Sequence, residues 1–452
     1  MLPDQAFIEN ELSRCNKCGY CMQSCPVYRA ERREANVARG RNRLLRAVLE
    51  GERELSREMR EPFFDCLLCG ACTNDCFGKV RTKDLMVRAR EAYAEDFGSP
   101  LLRRYLFHNL LPAPQRLTPL MRLASLGKRT GLARLAERMG LLRWLSPNLE
   151  VADALVPTMP KAFLRDRLAG MGFRAVPHAA GTLYRWEPDH ATGLRVLYFI
   201  GCGTNYQLPR SGEAALRLLH LGGCQITVAP NNCCGLPPWS YGDTEAARLL
   251  ARRNVELLSD LDCDAIVTEC GSCSGFLKEY GEVLGEVSPD GPDGASSAAP
   301  LQSVARGPGG ELSSRVRDFT EVLATLSLPR PVATGTPLTY HDPCHLGRSQ
   351  GVREQPRKLL VDVGGYELRE MAEADRCCGG AGSYNITHPE LSRAILGRKL
   401  DNAGATGAQL IATACPACIL QLGWGGRERG EGFTVRHVAE LLAERQGLEL
   451  GP

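Results

Sequence analysis

The sequence predicts a chain of α+β and α/β classes: a helical N-terminal module with two tightly spaced cysteine sets, then two duplicated α/β cysteine-rich domains. Three observations carry this. Eighteen of the twenty cysteines fall into four spaced sets. The two long sets recur at a near-constant offset, the signature of an internal repeat. From about residue 194, apolar runs of strand length alternate with helical segments.

Residues 1–98 contain both short sets, joined by an Arg-rich stretch that reads as helix, RGRNRLLRAVLEGERELSREM. Residues 99–193 carry no cysteine, and their apolar periodicity, broken by Pro112, Pro114, Pro119 and Pro147, predicts a linker of short helices. Residues 194–285 and 313–452 are the two α/β copies, with corresponding cysteines 142, 144 and 145 residues apart. Residues 286–312, rich in Gly, Pro, Ser and Ala, are expected to be a flexible insertion.

Composition narrows the class. With 44% hydrophobic and 24% charged residues in 452, the chain reads as a soluble multidomain protein. A net charge of +3 is too small to argue for a nucleic-acid partner. The start MLPDQAFIENELSRC has no apolar core behind a basic leader, so thiols in a reducing compartment are expected, where metal binding is favoured over disulfides. No apolar run is long enough for a membrane span, although docking on a membrane stays open.

Both short sets read C-x2-C-x2-C-x3-C: Cys15, Cys18, Cys21, Cys25 and Cys66, Cys69, Cys72, Cys76. Three thiolates at this spacing wrap one cubic [4Fe-4S] cluster, and in two-cluster ferredoxin-type proteins the fourth cysteine ligates the other cluster. One cubane is therefore expected on Cys15, Cys18, Cys21 and Cys76, and the other on Cys66, Cys69, Cys72 and Cys25. Pro26 follows Cys25 as that pattern requires, whereas Phe77 stands where the second proline belongs. Zinc, the competing reading, favours paired CxxC units over runs of four.

The long sets are Cys202, Cys233, Cys234, Cys270, Cys273 and Cys344, Cys377, Cys378, Cys415, Cys418. In each, the cysteines follow three strand-like runs and so collect at the carboxyl edge of a parallel sheet, where such sheets bind ligands. Five thiolates exceed what a tetrahedral zinc site accepts. A set that binds zinc or no metal is the bland alternative. Cys224 and Cys263, outside every set, are expected to be small buried residues.

The C-x(n)-CCG-x(n)-CxxC repeat resembles the cysteine-rich (CCG) domain of heterodisulfide reductases and their relatives. Two ferredoxin-type sets followed by two CCG domains are similar to the iron–sulfur subunits of glycolate oxidase, anaerobic glycerol-3-phosphate dehydrogenase and lactate-oxidising complexes. TYHDPCHLGRSQGV, CCGGAGSYNITHPEL and RGRNRLLRAV look most like the glycolate oxidase iron–sulfur subunit. The resemblance implies noncubane [4Fe-4S] clusters on the two five-cysteine sets. It implies an FAD-binding dehydrogenase subunit that oxidises glycolate or lactate, with electrons leaving to quinone or another carrier. A quinone-reactive membrane subunit or an electron-transfer flavoprotein are further partners it suggests, with a cytoplasmic location or a peripheral one on the inner face of the cytoplasmic membrane. Glycolate-oxidase-type members often lack part of the last CxxC, yet Cys415 and Cys418 are both present here. That departure keeps a second reading open, a reductase that cleaves a disulfide at a noncubane cluster.

Other residues carry two readings each. His341 and His345 flank Cys344 and are expected either to hydrogen-bond cluster sulfur or to lie solvated in a strand-end turn. Seven arginines between Arg29 and Arg46 either offset cluster charge or dock an acidic partner, or else form a solvated helix face. Residues 101–149, with nine Lys or Arg and one acid, either lie on an anionic membrane or brace the two halves of the chain. The glycines of GCGTNY and GGAGSY complete no dinucleotide fingerprint, so no flavin is expected in this chain.

Overall fold

The computed structural model describes residues 2–141, 144, 146–179, 181–190, 192–286 and 307–451. Most of the expected flexible insertion, 287–306, lies outside the described residues, while residues 307–312 lie in the helix Gly307–Arg315.

The N-terminal module is built from helices Gln5–Ser13, Ala38–Leu49, Arg60–Phe64 and Thr82–Phe97, which share Ile8, Leu12, Leu45, Phe63, Leu85 and Met86 in one buried core. Each such side chain contributes roughly 1.5–3 kcal/mol when fully removed from water. Only the first half of the Arg-rich stretch, 39–59, is the expected helix, Ala38–Leu49; residues 50–56 are irregular and Arg57–Met59 is a 3-10 turn. The buried face of that helix includes two polar residues, Arg41 and Asn42. Gly40 is required in it, because a Cβ there would lie 2.0 Å from the Glu34 carbonyl oxygen.

The two short cysteine sets use the same backbone. Lys17 and Leu68, just before the second cysteine, have φ of 57° and 51°; Gly19 and Gly70, just after it, have φ of 81° and 70°. The left-handed turns coil the chain so that successive thiols face one another. Lys17 and Leu68 lack glycine's freedom and accept about 1–2 kcal/mol of local strain, as residues at functional sites do.

The linker prolines open helices more than they break them. Pro114 and Pro147 occupy the first turn of Pro114–Arg129 and Pro147–Leu155, where a missing N–H costs nothing. Pro119 lies inside the sixteen-residue first helix, so that helix is longer than the prolines predicted. The same stretch also supplies two strands, β1 (Arg174–His178) and β2 (Gly181–Trp186).

The duplication is explicit in the sheets. The first contains β3 (Arg195–Tyr198), β4 (Gln225–Val228), β5 (Ala265–Thr268) and β6 (Val316–Asp318) in the order β1-β2-β4-β3-β5-β6. The second contains β7 (Pro337–Tyr340), β8 (Glu367–Leu368), β9 (Leu410–Thr413) and β10 (Thr434–His437) in the order β10-β9-β7-β8. Both therefore hold the parallel order second-first-third-fourth strand, and the first adds the antiparallel β1–β2 hairpin beside β4. β6, although it follows residue 313, pairs with β5 and completes the first sheet. The central strands are buried on both faces, as apolar runs such as LYFI and AIVT require.

The copies face each other through their carboxyl edges. The Gly271 amide donates to the Ala414 carbonyl at 3.1 Å. A Cβ on Gly271 would lie 2.9 Å from Leu346 Cβ, and one on Gly203 would lie 3.5 Å from Pro416. The helix after the third strand of each copy thus rests on the helix after the first strand of the other.

Candidate metal centres

The short sets are interleaved. Cys25 Sγ lies 3.9 Å from the Asn36 carbonyl oxygen, and Asn36 Nδ2 donates to Asp65 at 2.9 Å, immediately before Cys66. The Cys72 thiol accordingly has Cys66, Cys69 and Cys25 among its neighbours. The turn after Cys76 reaches the other set: a Cβ on Gly78 would lie 2.5 Å from the Arg14 carbonyl oxygen, and the Phe77 ring sits 5.1 Å from that of Tyr20. Where proline was expected, Phe77 instead pairs with an aromatic ring between Cys18 and Cys21.

The ten remaining set cysteines form one continuous file. Cys202 and Cys233 are 3.9 Å apart, and Cys234 is flanked by Cys233 and Cys273. Cys270 neighbours both Cys273 and Cys415, and Cys415 neighbours Cys418. Cys418 lies 3.7 Å from Cys378, and Cys377 stands between Cys378 and Cys344. Exchange of the copies maps the file onto itself, with Cys270 and Cys415 at its middle. The Cys344 end meets the short sets: Cys69 has Cys344 as a neighbour, and Cys377 has Cys69.

Electrostatics fit these groups to metal. Burial pushes Cys69 up to about 12 and raises Cys72 well above the ordinary thiol range. In each copy the second member of the adjacent pair is lowered, and in the second copy Cys415 is lowered as well, by hydrogen bonds from Cys270 and Cys418. Cys233 and Cys273 hold Cys234 down to about 5, and Cys377 and Cys418 lower Cys378. Thiols this crowded cannot all ionise without a compensating cation, and metal ligation demands that they ionise. Among the described residues all these cysteines are free of disulfides. Sets of four and five converging thiols fit iron–sulfur clusters, with Cys15, Cys18, Cys21, Cys76 and Cys25, Cys66, Cys69, Cys72 available to two, and the five-membered sets to others.

Buried cations lie beside the second short set and the second CCG set, and these were missed in the sequence. Arg90 donates to the carbonyls of Phe63, Phe64, Cys66 and Ser240, and burial lowers it to about 10. Arg348, 6% exposed, pairs with Asp375 at 3.3 Å and lies beside Cys69, Cys344 and Cys377. Lys399, near Cys378 and Cys377, is lowered by burial to about 8 and donates to the carbonyls of Glu373 and Ala374. Only the proximity of Arg348 to Cys344 in HDPCHLGR offered a signal.

Of the seven arginines in the Arg-rich stretch, Arg41 is the buried one; it donates to the Pro62 carbonyl at 2.6 Å beside Cys66, Cys25 and Cys72. Arg29, Arg33, Arg39, Arg43 and Arg46 pair with carboxylates of the chain, and Arg32 lies over Tyr28. The solvated reading therefore holds for most of them and fails for Arg41. His341 is fully buried, not solvated, and burial lowers it to about 3; His345 Nδ1 lies 4.0 Å from Cys344 Sγ. Cys224 and Cys263 are buried outside the file, the latter 3.6 Å from Arg315 Nη1.

Comparison with known proteins follows the same division. The cysteine-rich domain family matches residues 196–278 and 338–423, and the 4Fe-4S dicluster domain family matches 11–80. The linker region of the glycolate oxidase iron–sulfur subunit matches 98–156. The chain is 33% identical over 450 residues to the probable glycolate oxidase iron–sulfur subunit of Bacillus subtilis (strain 168), covering 97% of this chain and 95% of that one. It is 26% identical over 468 residues to one of the subunits of the dihydromethanophenazine:CoB–CoM heterodisulfide reductase of Methanosarcina mazei, covering 97% and 95%. Lactate utilization protein A of Shouchella clausii is 27% identical over 256 residues, 56% of this chain and all of that one.

Proposed function

Because this chain belongs to the family of the glycolate oxidase iron–sulfur subunits, we propose that it relays electrons for an FAD-linked dehydrogenase of a small 2-hydroxy acid, glycolate or lactate. The unbroken sequence of thiol groups supports this reading most. The two short sets would hold two cubane [4Fe-4S] clusters and the CCG sets one or two noncubane ones, which would supply one-electron transfer. The chain's own residues order the groups: Cys69 sets the second against Cys344 of the second CCG copy, and Cys415 sets that copy against Cys270 of the first. Burial, Arg41, Arg90 and Arg348 hold the thiolate charge out of water, which tunes potential through charge and hydrogen bonding.

The outer end of the file is the first short set, where Cys18, Tyr20 and Phe77 are exposed. We place the flavoprotein partner there. At the other end Tyr206, on the helix begun by Cys202, shares a 2.8 Å hydrogen bond with Thr118 of the linker helices. Those helices expose Leu120, Leu123, Leu126, Leu132, Leu135, Met139 and Trp144. Arg116, Arg129 and Arg138 are exposed among them. No described helix is long and apolar enough to cross a membrane. Basic charge with protruding leucines fits the surface of an anionic bilayer, which would bring the Cys202 end to a quinone or another carrier. The expected result is sedimentation with phosphatidylglycerol-containing vesicles that weakens with salt and is lost in Leu123→Glu/Leu135→Glu, but not with pure phosphatidylcholine vesicles.

The reading as a whole is tested on the purified chain after anaerobic reconstitution. It should be brown, contain iron near four [4Fe-4S] clusters, and oxidise neither glycolate nor lactate until the flavoprotein is added. Turnover of either acid with an artificial acceptor and no flavoprotein defeats the proposal. The intact Cys415 and Cys418 pair keeps the second reading, in which two electrons delivered through the relay, with two protons, would reduce a substrate disulfide to two thiols at a CCG centre. A new paramagnetic signal on addition of a thiol substrate, abolished in Cys234→Ser, would select it.

A further inference from the structure

The second CCG set contains a nitrogen donor that the first lacks. His341 follows β7, three residues before Cys344; the duplication puts Phe199 in the same place, after β3 and three residues before Cys202. Both side chains are buried, at 0% and 1% exposure. A phenyl ring is at ease there. An imidazole is not: a buried polar group without a partner is destabilising, and neither His341 Nδ1 nor Nε2 makes a hydrogen bond. This orphaned ring points into the thiol file. A ring nitrogen, Cys378 Sγ and Cys418 Sγ all lie within 4.8 Å of one another.

The two sulfurs are 3.7 Å apart. Two thiolates bound at about 2.3 Å to one tetrahedral ion are separated by about 3.8 Å, so this pair already has the spacing of ligands to a common metal. The Ala374 carbonyl lies beside the ring, and a ligating imidazole ordinarily donates its other N–H to such an acceptor.

We propose that His341 is a direct nitrogen ligand of the metal centre at the second CCG set, making that site mixed thiolate–imidazole while its duplicate, lined by Phe199, is thiolate only. This rests on the reading that the set holds an iron–sulfur cluster. A neutral nitrogen brings less negative charge to iron than a thiolate does, and histidine-ligated [2Fe–2S] centres have raised potentials for this reason. The duplicated centres would then differ in potential, with the His341 site the more easily reduced.

The experiment uses the full reconstituted chain grown with ordinary or 15N-labelled histidine. Pulsed EPR of the paramagnetic second CCG centre should show the coupling of a coordinated histidine nitrogen, changed by the label and absent in His341→Phe, which installs the residue of the other copy. His345→Phe should retain it, and if His341→Phe does not fold, the labelled His345→Phe protein decides the same question. A filled second site with no histidine coupling, with coupling lost in His345→Phe instead, or with spectra identical in wild type and His341→Phe overturns the inference and leaves the relay intact. Iron content short of the second set removes both together.

Discussion

Cys25→Ser is expected to strip the second short set of its iron and leave the first filled. Cys25 belongs by sequence to the first run, so a linear assignment predicts the opposite loss. The crosswise proposal rests on where Cys25 sits. Cys25 Sγ sits against Asn36, which is bonded to Asp65 beside Cys66, and Cys25 is among the neighbours of Cys72. Serine is a poor replacement for a thiolate ligand of iron, and a cubane with three thiolates is readily lost. The variant should bind about four fewer irons per chain, and its residual EPR spectrum should match that of Cys66→Ser, not Cys15→Ser. Electron transfer from the flavoprotein should fall to background, because the second group is the one that touches the CCG file. A residual spectrum matching Cys15→Ser would reverse the assignment.

Arg348→Gln is expected to lower the reduction potentials of the second short set and the second CCG set together. The guanidinium is buried beside Cys69, Cys344 and Cys377, and its ion-pair partner is Asp375, 3.3 Å from Nη2. Reduction adds negative charge to a cluster, so a fixed cation favours the reduced form and its removal disfavours it. A unit charge at roughly 8 Å in an effective dielectric of about 20 is worth about 2 kcal/mol, which is about 90 mV for one electron. The loss is specific to charge, since Asp375 keeps Arg353 at 3.7 Å and is not left unpaired. Arg348→Lys should restore most of the shift, and Arg353→Gln should produce little. Redox titration followed by EPR measures all three, and equal shifts in Arg348→Gln and Arg353→Gln would remove Arg348 from this role.

These two residues mark different degrees of legibility. The proposed crosswise role of Cys25 could be read from the repeated run, because in two-cluster ferredoxin-type patterns the fourth cysteine serves the other cluster. Arg348 could not. It lies one helical turn beyond Cys344 in a phrase that already draws attention to His341 and His345, and nothing local says that it is sandwiched between two modules. Arg41 and its six neighbours make the same point: the helical period of Ala38–Leu49 could be read, but which arginine turns toward Cys66 depended on what packed against it. The linker prolines misled in the other direction. Pro114 and Pro147 stand at helix starts, where the absent N–H is harmless, and only tertiary packing distinguishes a start from a break.

The sequence by itself determined the cysteine sets, the fold class, the duplication and the family, because each rests on spacing or periodicity along the chain. Tertiary structure alone decided the order in space. The short sets meet the second CCG copy first, through Cys69 and Cys344, which are 275 residues apart, and the copies join through Cys270 and Cys415, 145 apart. That order follows from two carboxyl sheet edges packing face to face, a relation between distant surfaces that no local pattern encodes.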